Sequence, residues 1–188
     1  MLTDIDPFTA TAAQLLSEVV DMEPGPFALS ILLMIDRASL GPEDAVTFLQ
    51  VHERITSWWA SVQTEALVAA AGDTGRVDEF WLQVPGTDEQ RRIRIEDAAR
   101  EEVAAAVRWA PATTQARIDS ARLLAGPLRA TWDALALGEI STGHVSVIVE
   151  AARRFGGAWA DEGPECDDFR WACARLQQRV LPVARRGT

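Results

Sequence analysis

The chain contains no lysine, no asparagine and no tyrosine, and it has only two histidines and two cysteines among its 188 residues. It also lacks a long apolar run. Its longest, FALSILLMI at residues 27–35, falls well short of the roughly 20 residues needed to cross a bilayer. The acidic opening MLTDIDP is unlike a basic targeting leader. A soluble, cytoplasmic protein without membrane association is expected. Cys166 and Cys173 form a loose pair with no second cysteine or histidine pair, which excludes the spacings of structural zinc sites and suits a reducing compartment. His52 and His144 stand far apart and cannot assemble the ligand cluster that metal-assisted hydrolysis requires. With no nucleophile paired to a base at a recognisable spacing, the expectation is a non-catalytic chain with no metal and no cofactor.

What is present is arginine, and it is distributed unevenly. The formal net charge is −10, which on average disfavours a polyanionic partner. Residues 1–90, however, hold fifteen acids against three arginines, whereas residues 91–188 hold thirteen acids against fifteen arginines. The window 108–129 carries Arg108, Arg117, Arg122 and Arg129 against Asp119 alone. Such asymmetry between halves marks the second as the one able to meet phosphate.

The pattern of apolar residues predicts a mainly α fold in one helical domain. Residues 1–41 form an N-terminal segment that includes the amphipathic piece TAAQLLSEVV. A long spine helix follows over 42–72, started by Pro42, Glu43 and Asp44 and stopped by Gly72. Phe48, Val51, Ile55, Trp58, Val62, Ala66 and Ala69 recur at three- and four-residue steps, the signature of a single buried face. The doubled Trp58-Trp59 reads as core. DEFWLQV and RRIRIED alternate with period two around PGTDEQ, which is compatible with a small β-hairpin. Further helices are expected near 96–109, 113–125, 128–137, 142–155 and 167–181, separated by Pro111, Gly126-Pro127, Gly138 and Gly156-Gly157. In the last of them, Phe169, Cys173, Leu176 and Val180 share a face, so Cys173 is expected to be buried and inert.

Residues 96–155 carry the functional signal. Val103, Ala106 and Val107 face inward, APAT makes a short turn, and a second helix is buried through Ile118, Ala121 and Leu124. This is a helix-turn-helix pattern, although Arg108 occupies the place where many such units have glycine. Thr113, Gln115, Arg117 and Arg122 lie on the other side of the second helix, where short polar groups and arginines read base edges or hold phosphates. Arg108 and Arg129 extend the candidate DNA-binding set. In GEISTGH, Gly138 ends one helix, Ser141 is a suitable N-cap for the next, and His144 falls in its first turn as a neutral, hydrogen-bonded structural residue.

The stretch from EEVAAAVRWAP through GEISTGHVSVI resembles the central block of the bacterial thirteen-E-twelve repeat family (domain of unknown function 222), which precedes an HNH endonuclease module. The resemblance spans about residues 40–188, and GEISTGH is also similar to a segment of ParB-type partition proteins. It implies a DNA-binding or DNA-positioning domain. HNH chemistry needs histidines, an asparagine and often cysteine pairs, so the chain is expected to be a truncated or stand-alone version without the nuclease. The alternative is a helical protein-interaction or oligomerisation domain, whose spine pairs with a copy of itself in a homo-oligomer or with a partner.

Overall fold

The computed structural model of the chain describes residues 10–72, 85–156 and 167–186, and all regular structure among them is helical. The helices are α1 (Ala12–Val20), α2 (Pro26–Met34), α3 (Pro42–Ala71), α4 (Asp88–Val107), α5 (Pro111–Ala125), α6 (Arg129–Ala136), α7 (Thr142–Gly156) and α8 (Asp167–Ala184), with a 3-10 turn at Arg37–Ser39. No helix among the described residues is long and apolar enough to cross a membrane.

Local chemistry explains most of the boundaries. Pro26, Pro42 and Pro111 each open a helix, where their missing N–H costs nothing. Thr11 with Gln14, and Thr87 with Gln90, form reciprocal capping boxes at the starts of α1 and α4. The Thr87 box corrects the hairpin expected from the sequence. Residues 91–97 lie inside α4, and the proposed first arm at 78–84 lies outside the described residues. Ile93 and Ile95 are two apart, which places them about 200° apart on a helix. Ile95 is accordingly buried and Ile93 exposed.

The 30-residue α3, about 45 Å long at 1.5 Å per residue, packs against α1, α2, α4, α5 and α6. Its first half closes a core of Leu15, Val19, Ile31, Phe48, Val51 and Ile55. Its second half meets α4 and α5 through Leu67, Ala71, Val103 and Ile118. A third cluster joins α5 to α8 and includes Leu128, Leu135, Ile140, Ile148, Phe169 and Cys173. Burial pushes the Cys173 thiol up to about 11, so it stays protonated and poorly nucleophilic near neutrality. Cys166 lies outside the described residues.

Along α3 the buried face departs from the single stripe expected. Phe48, Val51 and Ile55 are buried, but Ser57, Ser61, Leu67 and Ala71 replace Val62, Ala66 and Ala69 as the inner positions. Neighbours grip the spine on more than one side, and small serines suit a close approach of helices. Trp58 is half-buried, whereas Trp59 is exposed. Adjacent residues diverge by about 100° on a helix, so both tryptophans cannot enter one core.

Candidate nucleic-acid interface

The α4–α5 connection is a three-residue turn, Arg108 to Ala110. The Arg108 and Trp109 amides both donate to the Ala104 carbonyl, and Arg108 adopts φ 56°, ψ 37°. This is the left-handed closure of a Schellman motif, in which glycine is the usual residue. Arg108 therefore does not change the turn's shape but adopts the conformation a glycine would supply. Left-handed backbone costs an ordinary residue about 1–2 kcal/mol, which is larger than glycine's extra unfolded-state entropy of roughly 0.5–1 kcal/mol. Arg108→Gly is expected to raise the melting temperature by one or two degrees, and a decrease measured by circular dichroism would contradict the strained-turn account.

The turn delivers α5 with Thr114, Ile118, Ala121 and Leu124 buried. Its leading half stays open, since Ala112, Thr113, Ala116 and Arg117 are exposed. The Arg117 guanidinium lies 4.1 Å from the centroid of the Trp109 ring and donates to Gln63 Oε1 at 3.1 Å, which orients it beside the turn. Arg153, reaching over from α7, donates to the Ala116 carbonyl and to Ser120 Oγ, both at 2.9 Å. Sequence reasoning missed Arg153 because its place beside α5 is set by the packing of α7.

Three other expected contact residues are half-buried or tied to a carboxylate. Arg122 is half-buried and donates to the Gly72 carbonyl at 3.0 Å and to that of Ala71 at 3.3 Å. It caps the C-terminus of the spine, where carbonyls lack helical partners and a cation complements the dipole, and so it leaves the candidate set. Gln115 turns along the helix to Asp119, its Nε2 donating to Oδ1 at 2.8 Å. Arg129, the first residue of α6, is exposed, covering Trp132 and paired with Asp133 at 2.9 Å. Thr113, Arg108, Arg117 and Arg153 remain grouped about the leading end.

The GEISTGH segment builds a second feature. Ser141 precedes α7, and its N–H donates to His144 Nδ1 at 3.2 Å while the His144 N–H reaches Ser141 Oγ at 3.4 Å. This is a capping box with histidine in the place of glutamate or glutamine. The His144 ring, also 2.9 Å from the Ser141 hydroxyl through Nδ1, thus serves the helix start. Ser141→Ala is expected to cost about 1 kcal/mol, or about 2–4 °C for a chain of this size. Ser141→Asp and His144→Gln are each expected to retain most of that stability, because both keep an acceptor in place. Identical melting curves for wild type and Ser141→Ala would refute the cap.

Beside it, a groove of about 600 Å³ runs between α3 and the α6–α7 turn, lined by Val46, Leu49, Glu53, Leu137 and His144 among others. A second, apolar groove of about 590 Å³ between α2 and α3 is lined by Leu33, Phe48, Leu49, Ile55 and Trp59 among others. Leu33, Leu49 and Trp59 are 68%, 59% and 57% exposed, so the α2–α3 surface has apolar side chains facing solvent. Comparisons with protein-family models, curated proteins and solved structures find no match for this chain.

Proposed function

We propose that the chain is a non-catalytic DNA-binding or DNA-positioning domain of the thirteen-E-twelve type, in which α4, the Arg108 turn and α5 act as a helix-turn-helix. The observation that carries this reading is the division of α5 into a buried inner face and an exposed leading half with Thr113 and Arg117, flanked by Arg153. Recognition helices meet base edges with their leading residues, and surrounding arginines hold phosphates.

The acidic first half of the chain keeps affinity modest, in the range of about 10⁻⁴–10⁻⁶ M typical of nonspecific binding at physiological salt. Arg117→Gln and Arg153→Gln are each expected to weaken binding to a random duplex and to lower the slope of log K against log salt by about one unit. Fluorescence anisotropy measures both. Arg122→Gln is expected instead to lower the melting temperature, because it uncaps α3. Unchanged titrations for the Arg117→Gln/Arg153→Gln double variant would remove α5 as the reader.

A second reading, a helical interaction domain, draws on the exposed Leu33, Leu49 and Trp59, since clustered apolar exposure marks binding surfaces. Concentration-dependent sedimentation abolished by Leu49→Glu would favour it.

A further inference from the structure

Residues 169–188 contain five arginines and no acid. In α8, the inner face carries Phe169, Cys173, Gln177, Leu181 and Ala184, and the helix packs against α6 and α7. Arg175, Arg179 and, just past the helix end, Arg186 are all exposed. At 100° per residue Arg175 and Arg179 point within about 40° of each other, roughly opposite the buried face, and Arg186 follows two residues past the helix end. Arg175 leans toward the exposed Trp171, 6.0 Å from its ring centroid, and bonds Gln178. Arg179 and Arg186 have no side-chain partner among the described residues. Elsewhere, Arg54 and Arg122 are committed to helix C-termini and Arg129, Arg154 and Arg185 to carboxylates, whereas Arg37 and Arg108, exposed like the stripe, stand singly on other elements.

We propose that this outer stripe of α8 is a second nucleic-acid surface, which takes the phosphate backbone of duplex DNA without reading bases. It goes beyond the α5 reading, because it is a separate face that needs neither the turn nor the leading end of α5. The three arginines span about 16 Å along the axis, the length of about five phosphates of one strand at 3.4 Å each. Guanidinium groups are suited to phosphate because they present a planar donor fork. An anionic bilayer fits less well: an interfacial helix needs its apolar face free to enter the headgroup region, and the apolar face of α8 is occupied by the core.

The test is anisotropy with a labelled random duplex between about 50 and 200 mM salt, comparing the full chain with the Arg175→Gln/Arg179→Gln/Arg186→Gln triple variant and the Arg117→Gln/Arg153→Gln double variant. The triple variant is expected to melt like wild type, to bind at least about tenfold more weakly at the lower salt, and to lose between two and three units of salt slope. Loss confined to the triple variant supports the α8 surface while removing the α5 reading. Loss confined to the double variant does the reverse, and loss in both supports both. The α8 proposal is overturned by a triple variant with wild-type affinity and slope, by a wild type that does not bind duplex at all, or by preferential binding to phosphatidylserine vesicles.

Discussion

Gly138→Ala is expected to lower the melting temperature by about 6–12 °C, from a loss of roughly 3 kcal/mol at about 2–4 °C per kcal/mol. Two costs combine. Gly138 sits at φ 66°, closing a Schellman motif in which its N–H meets the Leu135 carbonyl at 3.0 Å and the Glu139 N–H meets that of Ala134 at 2.9 Å. A side chain there meets the left-handed penalty of about 1–2 kcal/mol. An added Cβ would also lie 3.0 Å from the Arg54 carbonyl oxygen and 3.1 Å from its Cα, so backbone rather than a flexible side chain has to yield. The spine is poorly placed to yield at that point, because Arg54 is tied to the Val20 and Met22 carbonyls at 2.6 and 2.9 Å. Gly138→Asn separates the terms: asparagine tolerates the left-handed backbone better but keeps the Cβ, so it is expected to recover only part of the loss. Gly143→Ala is the control in the same motif. Its Cβ would meet nothing closer than Ser141 Oγ at 3.5 Å, and alanine inside a helix is better than glycine by roughly 0.5–1 kcal/mol. If Gly138→Ala and Gly143→Ala melt alike, the close crossing of α3 and the α6–α7 turn is not a source of stability.

Gln177→Leu is expected to cost about 2–4 kcal/mol, since each buried polar group left without a partner costs about 1–3 kcal/mol. The side chain of Gln177 makes four hydrogen bonds from a buried position on α8. Its Oε1 accepts from the Thr131 N–H at 2.9 Å and from the Thr131 hydroxyl at 3.1 Å. Its Nε2 donates to the Pro127 carbonyl at 2.9 Å and to that of Cys173 at 3.2 Å. Leu128, at the start of α6, offers no side-chain cap, and Gln177 supplies one from 46 residues away. Leucine leaves the buried Thr131 hydroxyl and the half-buried Pro127 carbonyl without this partner. Adding Thr131→Val to Gln177→Leu is expected to recover part of the loss, because it removes one of the orphaned groups, and a double-mutant cycle by urea denaturation measures the coupling. Gln177→Glu tests the polarity of the network, since a carboxylate facing two carbonyl oxygens is tolerated only when protonated. That variant is expected to gain stability, relative to wild type, as the pH is lowered from 8 toward the ordinary glutamate range near about 4. Additivity in the cycle, or an unchanged pH profile for Gln177→Glu, would show that Gln177 merely fills space.

What the sequence by itself determined was governed by short-range chemistry. Pro42, the acids after it and Gly72 bound the spine because helix ends depend on residues within a turn of them. Gly138 and Ser141 punctuate α6 and α7 for the same reason. The box Thr87–Gln90 was equally local, but the alternation of Ile93 and Ile95 competes with it and can be read as a strand. Periodicity over so few residues does not separate a strand from a helix of which only one isoleucine is buried.

Tertiary structure alone decided where the arginines point. Arg117 and Arg122 read alike as outward cations on one helix, yet one covers Trp109 in the open and the other caps a spine that ended 50 residues earlier. Arg153 carried no signal in its own helix and reaches α5 only because α7 packs there. The same holds for Ser57 and Ser61, which are buried where the heptad-like pattern points to Val62 and Ala66. A helical repeat specifies which residues share a face. How many neighbours press on a helix, and from which sides, depends on residues distant in the chain, so the use of each polar side chain is settled only when the helices meet.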